Sequence, residues 1–345
     1  QKPDILLLDE PTNNLDKQGI EHLTKFLVEY EKTCLVISHD AKFLNAFTHG
    51  VLYLDSYTRK IEYYVGNYFD VVAEITARIE RERMKNVRLE RDISNRKEQA
   101  NFFAQKGGHM RDVARKMNEK IKELEEQMVE TRKEDKTIRD FIIPATFFPE
   151  PVATIKSVSM MHNHKLLAKK VNFVLKKGER LLVSGPNGIG KTSFLQSMAN
   201  GAAKGVSLLK EATVGYYRQD FSGLNINISV YKILSDAMKS GSEEQLRSVA
   251  AQFLLTGDIL NNKVESLSEG QKGLLCFAQF VLQRPALLIL DEPTNHINFR
   301  HLPVIARALN KYEGAMILIS HMSEFVDEVK SNNDSNFQTL DLGAL

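Results

Sequence analysis

A 13-residue segment occurs twice in this chain at a constant spacing. Residues 1–13 read QKPDILLLDEPTN and residues 283–295 read QRPALLILDEPTN. The acidic pairs are separated by 291 − 9 = 282 positions, and the histidines that follow them by 321 − 39 = 282. A repeat of this period predicts two related domains rather than a solenoid of short units.

The two copies are unequal in extent. Residue 1 aligns with residue 283, and if the second domain begins near Ala153, the first lacks about 130 residues because 153 − 282 = −129. Position 1 is also not a methionine. We therefore expect the chain to be the C-terminal part of a longer protein, with the N-terminal half of the first domain missing.

Composition limits the possible classes of protein. A length of 345 residues suits about two domains, and 43% hydrophobic with 26% charged residues is ordinary for a soluble globular protein. A net charge of +2 gives no global argument for nucleic-acid binding, and we expect no DNA partner. Two separated cysteines, Cys34 and Cys276, exclude a four-cysteine zinc site and indicate a reducing compartment. No apolar run reaches the ~20 residues of a membrane helix, so we expect a cytoplasmic protein without a membrane partner.

Hydrophobic patterns divide the chain into three predicted domains: 1–66, 67–143 and 152–345. The first begins with an apolar strand at 5–8, typical of a parallel sheet covered on both faces, and alternates strand and helix. From 67 to 139 proline is absent, and Met117, Ile121, Leu124 and Met128 follow a heptad seam. We predict a charged helical hairpin with arms of about 38 and 30 residues, followed by a stiff proline-containing linker.

Residues 185–192 have the sequence GPNGIGKT, which fits the phosphate-binding pattern G-x-x-x-x-G-K-[ST]. The pattern follows an apolar strand and opens a helix, as a P-loop requires. Its backbone N–H groups can point at phosphate oxygens, helped by the positive end of the helix. Lys191 should reach the β- and γ-phosphates, and the Thr192 hydroxyl should bind Mg²⁺. The predicted nucleotide-binding residues are Gly185, Asn187, Gly188, Gly190, Lys191, Thr192 and Ser193.

The acidic pair Asp291–Glu292 ends a predicted buried strand. We expect Asp291 to hold Mg²⁺ and Glu292 to polarise the attacking water. His321 follows the next apolar strand and should contact the γ-phosphate. A lone histidine there would more often be an ordinary core residue, but its repetition in the first copy favours a functional role. The corresponding residues of the first copy are Asp9, Glu10 and His39.

In this order, the P-loop, the segment LSEGQ at 267–271, the Asp-Glu strand and the histidine resemble an ATP-binding cassette. Gln219 matches the Q-loop of that family, which implies contact with Mg²⁺ and water. PTNNLD at 11–16 and PTNHIN at 293–298 resemble the PTNHLD of family F, whose members carry two cassettes, a charged helical linker and no membrane domain. The resemblance implies an α/β P-loop NTPase fold, one partial and one complete cassette joined by an α-helical hairpin, and hydrolysis of ATP with Mg²⁺.

In this family each ATP lies between the P-loop of one cassette and the signature of the other. The signature residues here are Ser268, Gly270 and Gln271. Because the first P-loop is missing, we expect neither composite site to be complete. Three positions depart from the family pattern: Glu269 replaces a glycine, Asn298 replaces the aspartate that Asp16 keeps, and His162 stands where a tyrosine often stacks on adenine. His162 can stack there or be a plain surface residue.

The predicted hairpin tip carries excess positive charge. Residues 95–122 contain eight basic and three acidic residues, next to a Gly-Gly turn and the pair Phe102–Phe103. Such charge beside aromatic rings suits RNA, and with the resemblance it predicts contact with ribosome-bound tRNA or ribosomal RNA. The candidate contacts are Lys106, Arg111, Arg115 and Lys116. The arms alternate in charge, as solvated helix faces do.

The preferred interpretation is a ribosome-associated ATPase, either a translation factor or an antibiotic-resistance factor. One alternative is the ATPase subunit of a membrane transporter, which gives no reason for a charged hairpin between cassettes. A chromosome-maintenance ATPase would have far longer arms placed within a cassette. A non-hydrolysing scaffold is favoured only by Glu269 and Asn298. Fold alone does not decide among these alternatives.

Overall fold

The computed structural model describes residues 3–12, 15, 17–38, 40–55, 60–105, 109–127, 137–162, 165–331 and 336–345. The chain divides into two compact units, Gln1–Pro11 with His22–Lys136 and Thr12–Glu21 with Thr137–Leu345. Within the described ranges, no helix has both the length and the apolar character needed to span a bilayer.

The chain begins with alternating strands and helices, as the sequence predicts. They are β1 (Ile5–Asp9), α1 (Lys17–Val28), β2 (Thr33–Ile37), α2 (Ala41–Phe47), β3 (Gly50–Asp55) and β4 (Lys60–Val65). Strands β1 and β2 pair in parallel, which requires the intervening helix as a crossover. Strands β3 and β4 form the predicted antiparallel hairpin.

Two long helices follow in the first unit. Helix α3 (Tyr68–Gln105) has 38 residues and α4 (His109–Gln127) has 19. Their apolar seam buries Ile93, Ala100 and Ile121, with Met117 and Leu124 packed beside them. The prediction of a helical hairpin is confirmed over these ranges, whereas Met128 and the rest of the second arm to 136 lie outside the described residues.

The second unit contains a five-stranded parallel sheet and a three-stranded antiparallel sheet. Its elements are β5 (Ala153–His162), β6 (Lys165–Leu175), β7 (Arg180–Ser184), α5 (Lys191–Ala199), β8 (Val206–Leu208), β9 (Val214–Tyr217), α6 (Val230–Ala237), α7 (Glu243–Gln252), α8 (Asp258–Asn261), α9 (Glu269–Gln283), β10 (Leu287–Asp291), α10 (Leu302–Asn310), β11 (Ala315–Ile319), α11 (Ser323–Lys330) and β12 (Phe337–Asp341). The parallel sheet has the order β12-β7-β11-β10-β9, and the antiparallel sheet has the order β6-β5-β8.

The two copies of the repeated strand differ in burial. Strand β10 lies between β9 and β11, and all five of its residues are buried. Among the described residues, β1 pairs only with β2, and Ile5, Leu7, Leu35 and Ile37 are 45–69% exposed. Within the described residues, β1 therefore lacks the cover on both faces that its apolar sequence favours. Apolar sequence favours burial, but neighbouring elements must supply the cover.

Residues 137–143, here called the strap, are extended and pack into the second unit. Ile138, Phe141 and Ile143 are buried in the same hydrophobic core as residues of α7 and α9. The Arg139 N–H donates to the Gln252 carbonyl at 3.3 Å. The predicted second helical arm therefore does not extend over 137–139, because these residues bury apolar side chains in a different core.

Candidate nucleotide-binding site

The loop between β7 and α5 is built around three glycines with positive φ: 142° at Gly185, 77° at Gly188 and 101° at Gly190. Residues with a side chain rarely adopt this conformation. Gly190 occupies the N-cap of α5 and provides no side-chain cap. The first N–H groups of α5 are therefore directed at the loop, which is the arrangement that binds an anion.

Lys191 lies across this loop. Its side chain is buried, and Nζ donates to the Gly185 carbonyl at 2.8 Å, the Pro186 carbonyl at 3.3 Å and Asn187 Oδ1 at 3.2 Å. These contacts fix the ammonium against the 185–187 part of the loop. A phosphate in the loop would therefore meet a fixed positive charge.

Asp291 ends β10 at the edge where β9, β10 and β11 all finish. Its side chain is 1% exposed, and neither carboxylate oxygen has a hydrogen-bond partner among the described residues. Burial raises its pKa to about 6, opposed by the nearby Thr192 hydroxyl and the Lys191 ammonium. Mg²⁺ binds through one or two carboxylates together with phosphate oxygens. The unpaired carboxylate beside Thr192 fits that requirement.

Glu292 and His321 are brought together by the parallel pairing of β10 and β11. Glu292 Oε1 lies 3.2 Å from His321 Nε2, and Oε2 accepts from the His321 backbone N–H at 3.2 Å. Burial raises the pKa of Glu292 to about 7; the His321 N–H lowers it, and the Asp291 charge raises it. A carboxyl group with this pKa can accept a proton near neutral pH.

The Q-loop residue Gln219 is placed by β9, and the signature residues by the start of helix α9. Gln219 follows β9, so the pairing of Tyr217 with Leu290 places it at the same strand edge as Asp291. Ser268 caps α9: its Oγ accepts from the Gln271 N–H at 3.3 Å, and Gln271 Oε1 accepts from the Ser268 N–H at 3.0 Å. The helix start predicted at the signature is confirmed.

One residue of this region was missed by the sequence reasoning. His296 has a φ of 67°, and its Nδ1 lies 2.8 Å from Glu269 Oε2. Its ring also lies 6.0 Å from that of Phe221. A difference between the two copies of the repeat could have pointed to this residue. His296 aligns with Asn14 of the first copy, because 14 + 282 = 296. The sequence pattern marks Glu269 only as a departure from the family signature.

Several other predicted site residues are described less fully. Asp9 is exposed at the end of β1, and the Glu10 N–H donates to the Ile37 carbonyl at 2.8 Å. Arg115 is exposed and lies 3.7 Å from Glu119, and Lys116 is exposed. The remaining predictions lie outside the described residues or side chains: His39, Lys106 and the side chains of Arg111 and His162.

Comparison with known proteins supports the features described above. The family described as ABC transporter matches residues 168–295. The probable ATP-binding protein YbiT of Escherichia coli O157:H7 is 30% identical, with 95% of this chain and 62% of the relative covered. Protein GCN20 of Saccharomyces cerevisiae is 32% identical, with 95% of this chain and 44% of the relative covered. ATP-binding cassette sub-family F member 2 of Mus musculus is 29% identical, with 95% and 53% covered. The chain thus spans about half the length of these curated relatives.

Solved structures show the same fold. A model of ribosome-bound archaeal Pelota and ABCE1 matches with a TM-score of 0.57 and 19% identity, over 95% of this chain and 49% of that chain. A structure described as RNase-L Inhibitor matches with a TM-score of 0.56 and 18% identity, over 97% of this chain and 60% of that chain. At these identities the likeness concerns the fold alone. With the P-loop, the Asp291–Glu292 strand and relatives matching along 95% of its length, the chain belongs to sub-family F of the ATP-binding cassette proteins.

Proposed function

We propose that this chain binds ATP and Mg²⁺ at the P-loop of a second cassette, residues 152–345, and hydrolyses the ATP. The unpaired, buried carboxylate of Asp291 next to Thr192 and Lys191 carries this proposal. A carboxylate kept in that position costs stability unless a cation is bound there during function. A bound Mg²⁺ would neutralise charge on the β- and γ-phosphate oxygens.

The side chains have separate roles in the proposed reaction. Lys191 and the N–H groups of the 185–192 loop bind the phosphates, and Gln219 helps to position the attacking water. Glu292 accepts a proton from that water as its oxygen attacks the γ-phosphorus and the bond to ADP breaks. His321, with Nε2 3.2 Å from Glu292 Oε1, holds the carboxylate in place and would contact the γ-phosphate of a bound ATP. His162 is the candidate for stacking on adenine.

Equilibrium binding of a fluorescent ATP analogue to the whole chain tests the first step. Lys191→Ala should weaken binding at least about tenfold because a buried, fixed cation is lost. Asp291→Asn should instead remove most of the increase in affinity that Mg²⁺ gives. Lys204→Ala, which changes an exposed lysine of the same unit, is the matched control and should bind as the unchanged chain does. Equal affinities for the Lys191 and Lys204 variants would refute the site.

The first cassette, residues 1–66, is proposed to form the second half of a pair of composite sites. Asp9, Glu10 and His39 then have the roles of Asp291, Glu292 and His321, and the signature at Ser268, Gly270 and Gln271 serves the opposite ATP. The exposed apolar faces of β1 and β2 support this proposal. Their equivalents β10 and β11 are buried because the rest of a cassette covers them. A corresponding cassette core is the proposed cover for β1 and β2.

We further propose that the hairpin, within residues 67–143, contacts RNA on the ribosome. The protein would then act in the cytoplasm. One structure with the same fold is the model of ribosome-bound archaeal Pelota and ABCE1. In this chain Arg115 and Lys116 are exposed near the proposed tip, and Phe102 is exposed one turn before the end of α3. Exposed basic groups beside an aromatic ring suit binding to single-stranded RNA or to an RNA backbone.

Ribosome pelleting through a sucrose cushion tests the tip. Arg115→Glu with Lys116→Glu should reduce co-pelleting and the slope of its salt dependence, because fewer counterions are released from RNA. Lys85→Glu with Arg88→Glu makes the same charge change on exposed positions of the α3 arm, about 20 Å further from the tip at 1.5 Å per residue. Equal loss in both double variants would mean that net charge, and not the tip, decides binding.

A further inference from the structure

We infer that Glu269 is a positioning residue that connects the signature turn, residues 267–271, to the loop after Glu292, residues 293–298. The contact would transmit nucleotide binding at one composite site to the signature that serves the other. This inference rests on the proposed function.

Two consecutive residues of the signature turn touch the same histidine. Glu269 Oε2 lies 2.8 Å from His296 Nδ1. At Gly270, an added Cβ would lie 3.0 Å from the His296 carbonyl oxygen. Glu269 therefore pairs with the His296 side chain, and the backbone at Gly270 lies close to the His296 carbonyl. A side chain at position 270 would push the loop away.

His296 is also constrained by its own backbone and by the Q-loop. Its φ of 67° is uncommon for a residue other than glycine, although histidine tolerates it better than most, and the surrounding structure must maintain it. The imidazole lies 6.0 Å from the ring of Phe221, two residues after Gln219. The signature turn, the Q-loop and the 293–298 loop thus meet at one side chain.

The loop leaves little freedom between His296 and the proposed base. The Asn295 N–H donates to the Glu292 carbonyl at 3.1 Å, which closes a tight turn between them. Ile297 is buried, and an added Cβ at Gly273 of α9 would lie 2.9 Å from its Cγ1. Asn298 Oδ1 accepts from the Arg300 N–H at 3.0 Å. A shift of Glu292 on nucleotide binding would therefore move His296 and, through Glu269, the signature turn.

A glycine at position 269 would offer no such contact. The glutamate also lies in the first turn of α9, where a negative charge favours the helix. The test must separate these two effects. Glu269→Ala removes both the acceptor and the charge, whereas Glu269→Gln keeps an acceptor oxygen for the His296 N–H and removes only the charge. His296→Asn keeps a residue that tolerates positive φ and removes the imidazole.

Hydrogen–deuterium exchange of the whole chain with and without Mg-ATP tests the inference. In the unchanged chain, ATP should slow exchange at both 185–192 and 268–273. Glu269→Ala and His296→Asn should keep the protection at 185–192 and reduce that at 268–273 at least about threefold, and the double variant should lose no more than either single variant. Glu269→Gln should keep most of the protection at 268–273. Glu265→Ala, an exposed glutamate paired with Lys263 at 3.6 Å, is the matched control.

The outcomes distinguish the inference from the function beneath it. Full protection of 268–273 in Glu269→Ala and His296→Asn would overturn the inference and leave ATP binding intact. Equal loss in Glu269→Ala and Glu269→Gln would assign the effect to charge at the helix start and overturn it as well. No protection at 185–192 in the unchanged chain would refute ATP binding itself, and the inference with it.

Discussion

Glu10 and Glu292 lie 292 − 10 = 282 positions apart and have the same backbone geometry. Their φ angles are 44° and 48°, and their N–H groups donate to the carbonyls of Ile37 at 2.8 Å and Ile319 at 3.0 Å. A glutamate with positive φ costs of order 1 kcal/mol and persists where neighbouring structure fixes it. The repeated sequence therefore builds the same turn twice, each time at the edge of a parallel strand pair.

Glu292→Gln should separate ATP binding from hydrolysis. The amide keeps the shape of the side chain but cannot accept the proton of the attacking water. Single-turnover phosphate release should fall by about 100-fold or more, with the affinity for ATP little changed. Glu265→Gln, which changes an exposed glutamate of the same unit, should leave the rate unchanged. An unchanged rate in Glu292→Gln would remove this residue from the reaction.

The stability of the chain without nucleotide should depend on Asp291 and Glu292. Burial raises their pKa values to about 6 and about 7, above those of the unfolded chain, so the folded state binds more protons between about pH 4 and 7. The stabilisation that these two carboxyl groups give the folded state is full below about pH 4, and it is lost as the pH rises through 6 and 7.

Asp291→Asn should therefore raise the Tm at pH 8 more than at pH 5, because the variant has no buried charge to form. Glu244→Gln, which changes an exposed acid of α7, should shift the Tm equally at both pH values. Thermal unfolding followed by circular dichroism checks both variants. A Tm difference for Asp291→Asn that is independent of pH would show that this carboxyl does not titrate in the range.

Arg180 should be a major contributor to the stability of the second unit. It is buried, and its guanidinium donates to the carbonyls of Val329 at 3.2 Å, Asn310 at 2.5 Å and Tyr312 at 3.1 Å. A lysine ammonium cannot donate to all three carbonyls in the geometry of the planar guanidinium. Arg180→Lys should therefore lower the free energy of unfolding by about 2–4 kcal/mol.

The matched control for Arg180 is Arg247→Lys, which changes an exposed arginine paired with Glu243 and should cost under about 0.5 kcal/mol. Urea unfolding measures both variants. Similar midpoints for the two would contradict a structural role for the Arg180 contacts.

The strap offers an internal control for its own packing. Phe141 is 7% exposed, with its ring 4.7 Å from that of Phe253, whereas the neighbouring Ile142 is 66% exposed. Phe141→Ala should destabilise the second unit by about 3 kcal/mol or more, and Ile142→Ala by under about 0.5 kcal/mol. Urea unfolding is best followed by circular dichroism, since the chain has no tryptophan. Equal midpoints would mean that the strap is not part of the folded core.

Several features of the site could be predicted because they are local. The P-loop pattern fixes glycines where φ must be positive, and those values appear at Gly185, Gly188 and Gly190. The helix start at Ser268 follows from a serine cap with Gln271 three residues later, which is a capping box. The run ending in Asp291 and Glu292 predicts a buried strand that ends in acids. Each depends on residues close together in the chain.

Other features depend on residues far apart. The charged helical pattern predicts that the second arm continues to 139, yet the strap packs into the second unit, where Phe141 contacts Phe253 and Phe277 at the apolar surface of α7 and α9. Similarly, β1 is as apolar as β10 but is exposed, since burial is set by neighbouring elements and not by the strand itself. Periodicity reports which face of an element is apolar and not what covers it.

The sequence by itself determined the repeat, the P-loop, the signature, the acidic strands and the long hairpin, because spacing and local backbone preference specify them. Only the tertiary structure decided that Asp291 has two unpaired oxygens, that His321 meets Glu292, and that Glu269 holds His296. These contacts arise where strands and helices distant in sequence end at one edge of a sheet. No local pattern encodes that convergence; it follows from the packing of the whole unit.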